Sequence, residues 1–162
     1  MADFHELYSR YARDVHRFAL YLSCDAALAD DLTSEAFLRA WSSVTPIREA
    51  TVKAYLFTIV RNLYLQEVRR SSRHVELTDE VGASSVEGPE DRLDQRAKLA
   101  VVLRALRELA EVDRAALLMR THDRMPYEEI AQALHLSLSS AKVKVHRARL
   151  KLAQLIPGTT LT

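Results

Sequence analysis

The sequence predicts an all-α chain of two small helical domains joined by a flexible acidic linker, the second domain ending in a helix-turn-helix. Three observations carry this. Apolar residues recur every three to four positions over most of the chain, which is the helical period. Three glycines (Gly82, Gly88, Gly158) and four prolines (Pro46, Pro89, Pro126, Pro157) occur in 162 residues, and none interrupts a periodic stretch. These residues cost about 1 and 3 kcal/mol inside a helix, so they mark joints. Charge is also segregated. Residues 1–73 hold ten basic and nine acidic side chains, residues 74–91 none and six, and residues 92–162 thirteen and seven. Net charges of +1, −6 and +6 are hidden in an overall +1, and such asymmetry is informative where the total is not.

The elements follow in order. Phe4, Leu7, Tyr8, Tyr11, Val15, Phe18, Ala19 and Leu22 form one stripe, giving a first helix of about five turns. Asp25 can cap a second helix, with Leu28, Leu32, Ala36 and Ala40 on one face and Phe37, Trp41 and Val44 beside it. Pro46 closes that helix, and after a loop from Ser42 to Thr51 a third runs to about Arg73. Val52, Leu56, Ile59, Val60 and Leu63 point inward from it; Lys53, Arg61, Arg69, Arg70 and Arg73 point outward. His74 to Asp91 has six acids, two glycines, a proline and no steady period, so it reads as a linker. Fully extended, its 18 residues span ~60–65 Å, and relaxed about 25 Å.

Leu93, Ala97, Ala100, Leu103, Leu106 and Ala110 then share a helix, and a shorter one from Val112 to about His122 follows. Tyr127, Ile130, Ala131 and Leu134 occupy one helical face, the run breaks at His135, Leu136 and Ser137, and Ala141, Val145, Ala148 and Leu152 form the stripe of a last helix. Ser140, Lys142, Lys144, His146, Arg147 and Arg149 flank or oppose that stripe. Residues Ile130 to Thr162 carry five Lys/Arg and no Asp/Glu. This is a helix-turn-helix with a cationic outer face, whose second helix fits the DNA major groove.

Other classes are poorly served. The six histidines are scattered, Cys24 has no partner cysteine for a disulfide or a paired metal site, and no Gly-rich phosphate loop occurs, so an enzyme is not expected and no cofactor is called for. Asp3 and Glu6 fall where a signal peptide needs positive charge and an apolar run, and no stretch approaches the ~20 apolar residues of a membrane span. The expectation is a cytoplasmic protein.

Four segments carry a resemblance: DAALADDLTSEAFLRAW (Asp25 to Trp41), AYLFTIVRNLYLQEVRR (Ala54 to Arg70), LRALRELAEVDRAALLM (Leu103 to Met119) and PYEEIAQALHLSLSSAKVKVHRARLKL (Pro126 to Leu152). In this order, with an acidic linker between the pairs, the chain resembles a bacterial sigma factor of the extracytoplasmic-function group over about residues 4–73 and 97–153. The sequence departs from that family's usual residues at Ser34, Tyr55, Gln66 and Ser139 to Ala141.

The resemblance implies an alternative sigma factor that binds core RNA polymerase and directs promoter recognition and initiation. It divides the chain into residues 1–73 for polymerase and the minus-ten element, 74–91 as linker, and 92–162 for the minus-thirty-five element. Asp31, Leu32, Glu35 and Leu38 are then the polymerase-binding residues. Their mixed acidic and apolar surface suits a basic helical partner. Expected DNA contacts are Lys53, Arg61, Asn62, Arg69 and Arg70 on the third helix and Ser140, Lys142, Lys144, His146, Arg147 and Arg149 on the last. Tyr55 and Phe57 are as well suited to stacking on bases as to the core. The loop Ser42 to Thr51 corresponds to the segment that captures a flipped minus-ten base. The linker's acids are repelled by DNA and suit a basic channel in the polymerase. The resemblance also admits an anti-sigma factor as partner. The competing reading is a stand-alone helix-turn-helix regulator, which needs no aromatic and basic third helix and normally dimerises on paired half-sites.

Overall fold

A computed structural model describes residues 4–42, 52–73 and 90–156, and among them the chain is helical with no strand. Seven helices occur there: α1 (Phe4–Ser23), α2 (Ala26–Ser42), α3 (Val52–Arg73), α4 (Glu90–Arg107), α5 (Glu111–Thr121), α6 (Tyr127–Leu134) and α7 (Leu138–Leu155). The loop proposed to hold a flipped base, most of the acidic linker, and Pro46, Gly82, Gly88, Pro89, Pro157 and Gly158 lie outside the described residues.

The helix ends follow local chemistry. The carboxylate of Asp25 accepts from the Leu28 backbone N–H at 3.0 Å, capping α2, and the Ser137 hydroxyl accepts from Ser140 N–H at 3.1 Å, capping α7. Pro126 stands at the N-cap of α6, where its missing N–H costs nothing. Three residues turn the chain in the left-handed region: Cys24 after α1 (φ 58°), Arg124 between α5 and α6 (φ 51°) and His135 between α6 and α7 (φ 56°). None is glycine, so each carries a Cβ penalty that the surrounding packing must offset.

The first three helices close on Val15, Phe18, Leu22, Phe37, Leu56 and Val60, with Phe18 stacked on Phe57 at 4.3 Å. Phe57 is therefore core and cannot stack on a base. The second group buries Leu117, Leu118, Met119, Ile130, Leu134, Ala141, Val145, Ala148 and Leu152, including the whole expected stripe of α7. The α4 stripe needs correcting: Ala105 and Leu106 are buried and Leu103 half-buried, but Leu93, Ala97 and Ala100 are exposed, and Ala110 is the N-cap of α5. Among the described residues, only the last turns of α4 bury apolar side chains, and the apolar residues of its first turns are exposed.

The two helical groups touch. α1 packs against α4 and α5, and α3 against α6. Much of what crosses this junction is polar.

Candidate nucleic-acid and polymerase interface

In the helix-turn-helix, the left-handed His135 and the Ser137 cap redirect the chain within three residues, so α6 and α7 bury one seam and leave the outer side of α7 to solvent. On that side Lys142 and His146 are exposed, while Ser140, Lys144 and Arg149 are half-buried. Tyr127 opens α6 with its ring between two cations, Arg120 at 4.3 Å and Lys142 at 5.8 Å from the centroid. The same Arg120 donates to the Met125 carbonyl at 3.1 Å, tying the α5–α6 turn. Lys142 thus projects from a held position beside the first turn of α7.

Arg147 has a different setting. Its guanidinium donates two bonds, at 2.8 and 2.9 Å, to the carboxylate of Asp113, a residue 34 positions earlier in the first turn of α5. This fork-to-fork pair is the strong form of a charged hydrogen bond. Asp113 holds the Arg147 guanidinium above its usual pKa, so the charge is permanent. Arg147 remains solvent-facing on one side, but its donors are committed to seating α7 on α5.

On α3 the cationic residues fall on two faces. Asn62, Arg69 and Arg70 are exposed, at a spacing that places them along one side of the helix, and Arg70 meets Glu67 at 3.0 Å. Lys53 and Arg61 are on the other side, with Tyr64, and face the C-terminal helices. Arg61 donates to both carboxylate oxygens of Glu111 at 2.7 and 2.8 Å. Lys53 lies 2.9 Å from Asp14 and 3.6 Å from Asp123. Burial pulls the Lys53 ammonium down, and Asp14 and Asp123 more than reverse this, leaving its pKa raised. Asp123, with its side chain 2% exposed, is pushed up instead, because desolvation outweighs its attraction to Lys53 and Arg17. The two partners do not contradict one another: Lys53 shares two carboxylates, whereas Asp123 is the more deeply buried member.

The four residues expected to bind polymerase are only partly grouped. Asp31, Leu32 and Glu35 line a groove of about 360 Å³ between α2 and α3, together with Leu28, Leu63, Gln66, Glu67 and Arg70. Leu38 lies outside it, 56% exposed, and Leu32 is buried in the core with 5% exposed, so only its edge reaches the groove. Glu35 pairs with Arg39 at 3.1 Å, the expected i,i+4 contact. The α3 wall was missed from sequence, although Leu63, Gln66, Glu67 and Arg70 repeat at three to four residues beside the inward stripe. Glu111, Asp113 and Asp123 were missed too, and no local pattern marks them, since their partners lie 34 to more than 50 positions away. Among the described residues, no cluster of three His, Cys, Asp or Glu can hold a metal ion and no helix is long and apolar enough to cross a membrane.

Comparison with known proteins matches the family model for Sigma-70 region 2 to residues 7–74 and that for Sigma-70 region 4 to residues 99–152. The chain is 29% identical to the ECF RNA polymerase sigma factor SigM of Bacillus subtilis, over 93% of each protein. It is 32% identical to the ECF sigma factor SigL of Mycobacterium tuberculosis, over 88% of this chain and 82% of SigL. Among solved structures, the sigma factor RpoE of Bartonella quintana, crystallised with the anti-sigma factor NepR, aligns at a TM-score of 0.76 and 27% identity, covering 99% of this chain and all of that one. A TM-score this high over both halves requires a similar placement of one half against the other. The helix-turn-helix, the acidic groove on the first half and the order of the two matched regions converge: the chain belongs to the extracytoplasmic-function group of RNA polymerase sigma factors.

Proposed function

We propose that this chain is an alternative sigma factor whose α2–α3 groove docks core RNA polymerase, whose α3 contacts the minus-ten region, and whose α7 reads the minus-thirty-five element. The observation that carries the reading is the groove. It sets Asp31, Glu35 and Glu67 around apolar Leu28, Leu32 and Leu63, a surface suited to a basic, amphipathic helix. Exposed Asn62 and Arg69 continue along α3 from it, so polymerase and single-stranded promoter DNA can be held side by side. On α7, exposed Lys142 and His146 are assigned to base edges, and half-buried Ser140, Lys144 and Arg149 beside them to phosphates. Residues 1–73, 74–91 and 92–162 are the corresponding domain, linker and domain. A cytoplasmic location follows from this role, and an anti-sigma protein is a further partner on the analogy of the Bartonella complex.

Run-off transcription with core polymerase tests this. Because Leu32 belongs to the core, truncating it would destabilise the fold by about 2–5 kcal/mol and confuse the result. Asp31→Arg with Glu35→Arg alters only exposed side chains. This double variant is expected to keep its helix content and lose core-dependent transcription. Normal transcription by it, or specific duplex binding by the free chain as a dimer, would return the stand-alone regulator reading.

A further inference from the structure

The outer side of α7 is organised in columns. At about 100° per residue, Ala141, Val145, Ala148 and Leu152 make the buried seam, and the line opposite it holds Ser139, Val143, His146 and Leu150, all exposed. Charge lies on the two flanks. Lys142 and Arg149 occupy one flank, with Lys142 beside the Tyr127 ring at 5.8 Å. Lys144 and Arg147 occupy the other, with Arg147 seated on Asp113. A helix laid in the major groove turns its flanks to the two phosphate backbones and its midline to the base edges. Val143 stands in the middle of that midline.

Val143 is 57% exposed and lies outside the hydrophobic core. Single apolar residues are common on protein surfaces, but this one sits between cations and also opposes the local structure. A β-branched side chain is a weaker helix former than the Lys, Arg or Gln that serve on a solvated face. In a helix it keeps about nine-tenths of its population in one χ1 rotamer. The two γ-methyls are therefore presented in a fixed direction, with little entropy to lose on contact. Valine has no side-chain donor or acceptor, so of the groups lining the major groove only the 5-methyl of thymine gives it a favourable contact. Opposite any other base it would cover a polar group without replacing that group's hydrogen bond to water. Leu150 is on the same line but about 10 Å farther along the helix, in the later turns that leave the groove.

We propose that Val143 is a specificity-determining residue of promoter recognition, its methyl groups packing on the 5-methyl of one thymine in the major groove of the upstream element. This rests on the promoter-binding role given to α7 above. Ser139 and His146, one turn to either side on the same line, then lie against neighbouring base pairs, where hydroxyl and imidazole supply the hydrogen bonds that valine cannot. The division of labour on α7 is positional: cations on the flanks hold the helix in register, and the midline selects sequence.

The test uses the full chain with core RNA polymerase. Promoter duplexes selected by this holoenzyme from a pool randomised upstream of the minus-ten region supply the element. Each of its thymines is then replaced in turn by deoxyuridine, which removes only the 5-methyl group. At one position the replacement should weaken promoter binding by the wild type about fourfold, the value of one buried methyl, and by Val143→Ala less than about 1.5-fold. Alanine is a good helix former and the site is exposed, so this variant keeps the fold. Selection with Val143→Asn should replace thymine at the same position, because an amide pairs with adenine instead of packing on a methyl. An element in which no thymine responds to loss of its methyl, or a response that persists in Val143→Ala, overturns the proposal. Run-off transcription from the same promoters separates this from the sigma-factor reading. A wild type that initiates with core polymerase but ignores every methyl rejects the thymine contact alone, whereas one that selects no duplex and gives no core-dependent transcript rejects the promoter-binding role and the thymine contact with it.

Discussion

Arg147 illustrates how one side chain can serve recognition without reading a base. Its fork is locked on Asp113, which is buried in the first turn of α5, so the pair fixes the angle at which α7 leaves the second core. Asp113→Asn and Arg147→Ala should each lower the urea midpoint, and together by less than the sum, since either change alone breaks the pair. Additive midpoint shifts would show that the two act independently. Lys142→Ala should leave the midpoint unchanged and shift preference at one base pair by ~1–3 kcal/mol or lower the salt slope by about one, depending on whether it meets a base or a phosphate. Asp123 makes a second residue-level prediction, through pH. It is faced by Lys53, Arg17 and Asp14, and burial raises its pKa above the ordinary ~3.9 of an aspartate. A carboxyl raised in the fold favours the fold while protonated; that contribution is full below the ordinary value and is lost as pH rises through the folded one. Asp123→Asn should therefore lose stability relative to wild type near pH 4 and regain ground toward pH 7, read from urea unfolding at the two pH values. A constant difference across that range would mean that Asp123 ionises normally.

At the scale of the elements, the turn between α6 and α7 sets the geometry of the whole helix-turn-helix. His135 adopts φ 56° and ψ 47° without being glycine, and Ser137 caps the next helix. Ser137→Ala should cost about 1 kcal/mol, the usual cost of a lost cap. His135→Gly should restore about as much by removing the Cβ penalty, because the gain in the fold is only partly offset by the freer unfolded chain. Thermal melts of both variants check this, and a destabilised His135→Gly would mean that the imidazole makes contacts worth more than the strain. Helical periodicity made α1, α3, α6 and α7 legible to within a residue or two, and the stripe Ala141, Val145, Ala148 and Leu152 is buried as read. It failed at the start of α4, where Leu93, Ala97 and Ala100 have the spacing of a core face and are exposed. Phe57 shows the converse limit. An aromatic among arginines suits stacking on bases and packing in a core equally well, and only the position of Phe18 decides between them. The groove was half legible: Asp31 and Glu35 stand out on α2, but their α3 counterparts become a wall only when the helices pack. The ions across the junction were illegible, since periodicity carries no information about partners 50 positions apart.

On the scale of the whole molecule, the decisive quantity is how strongly the two halves hold each other when covalently joined and when not. A junction containing ion pairs and stranded polar atoms resembles the polar interfaces between domains that move, which predicts a weak intrinsic affinity. A tether changes the balance. The 16 residues between α3 and α4, 74–89, hold each half near the other at an effective concentration of ~1 mM, so an intrinsic dissociation constant of ~0.1 mM suffices to keep the halves docked about nine-tenths of the time. The composition of that linker, acid-rich and poor in large apolar residues, makes it the expected first site of limited proteolysis. Cutting there removes the tether and leaves every side chain at the junction intact. At about 5 µM, well below that constant, the two fragments should separate on gel filtration although the uncut chain elutes as one compact species. Separate fragments are what a junction of weak polar contacts requires, because at that concentration only the tether holds the halves together. Fragments that stay together after cleavage would identify a junction whose apolar contacts outweigh its stranded polar atoms.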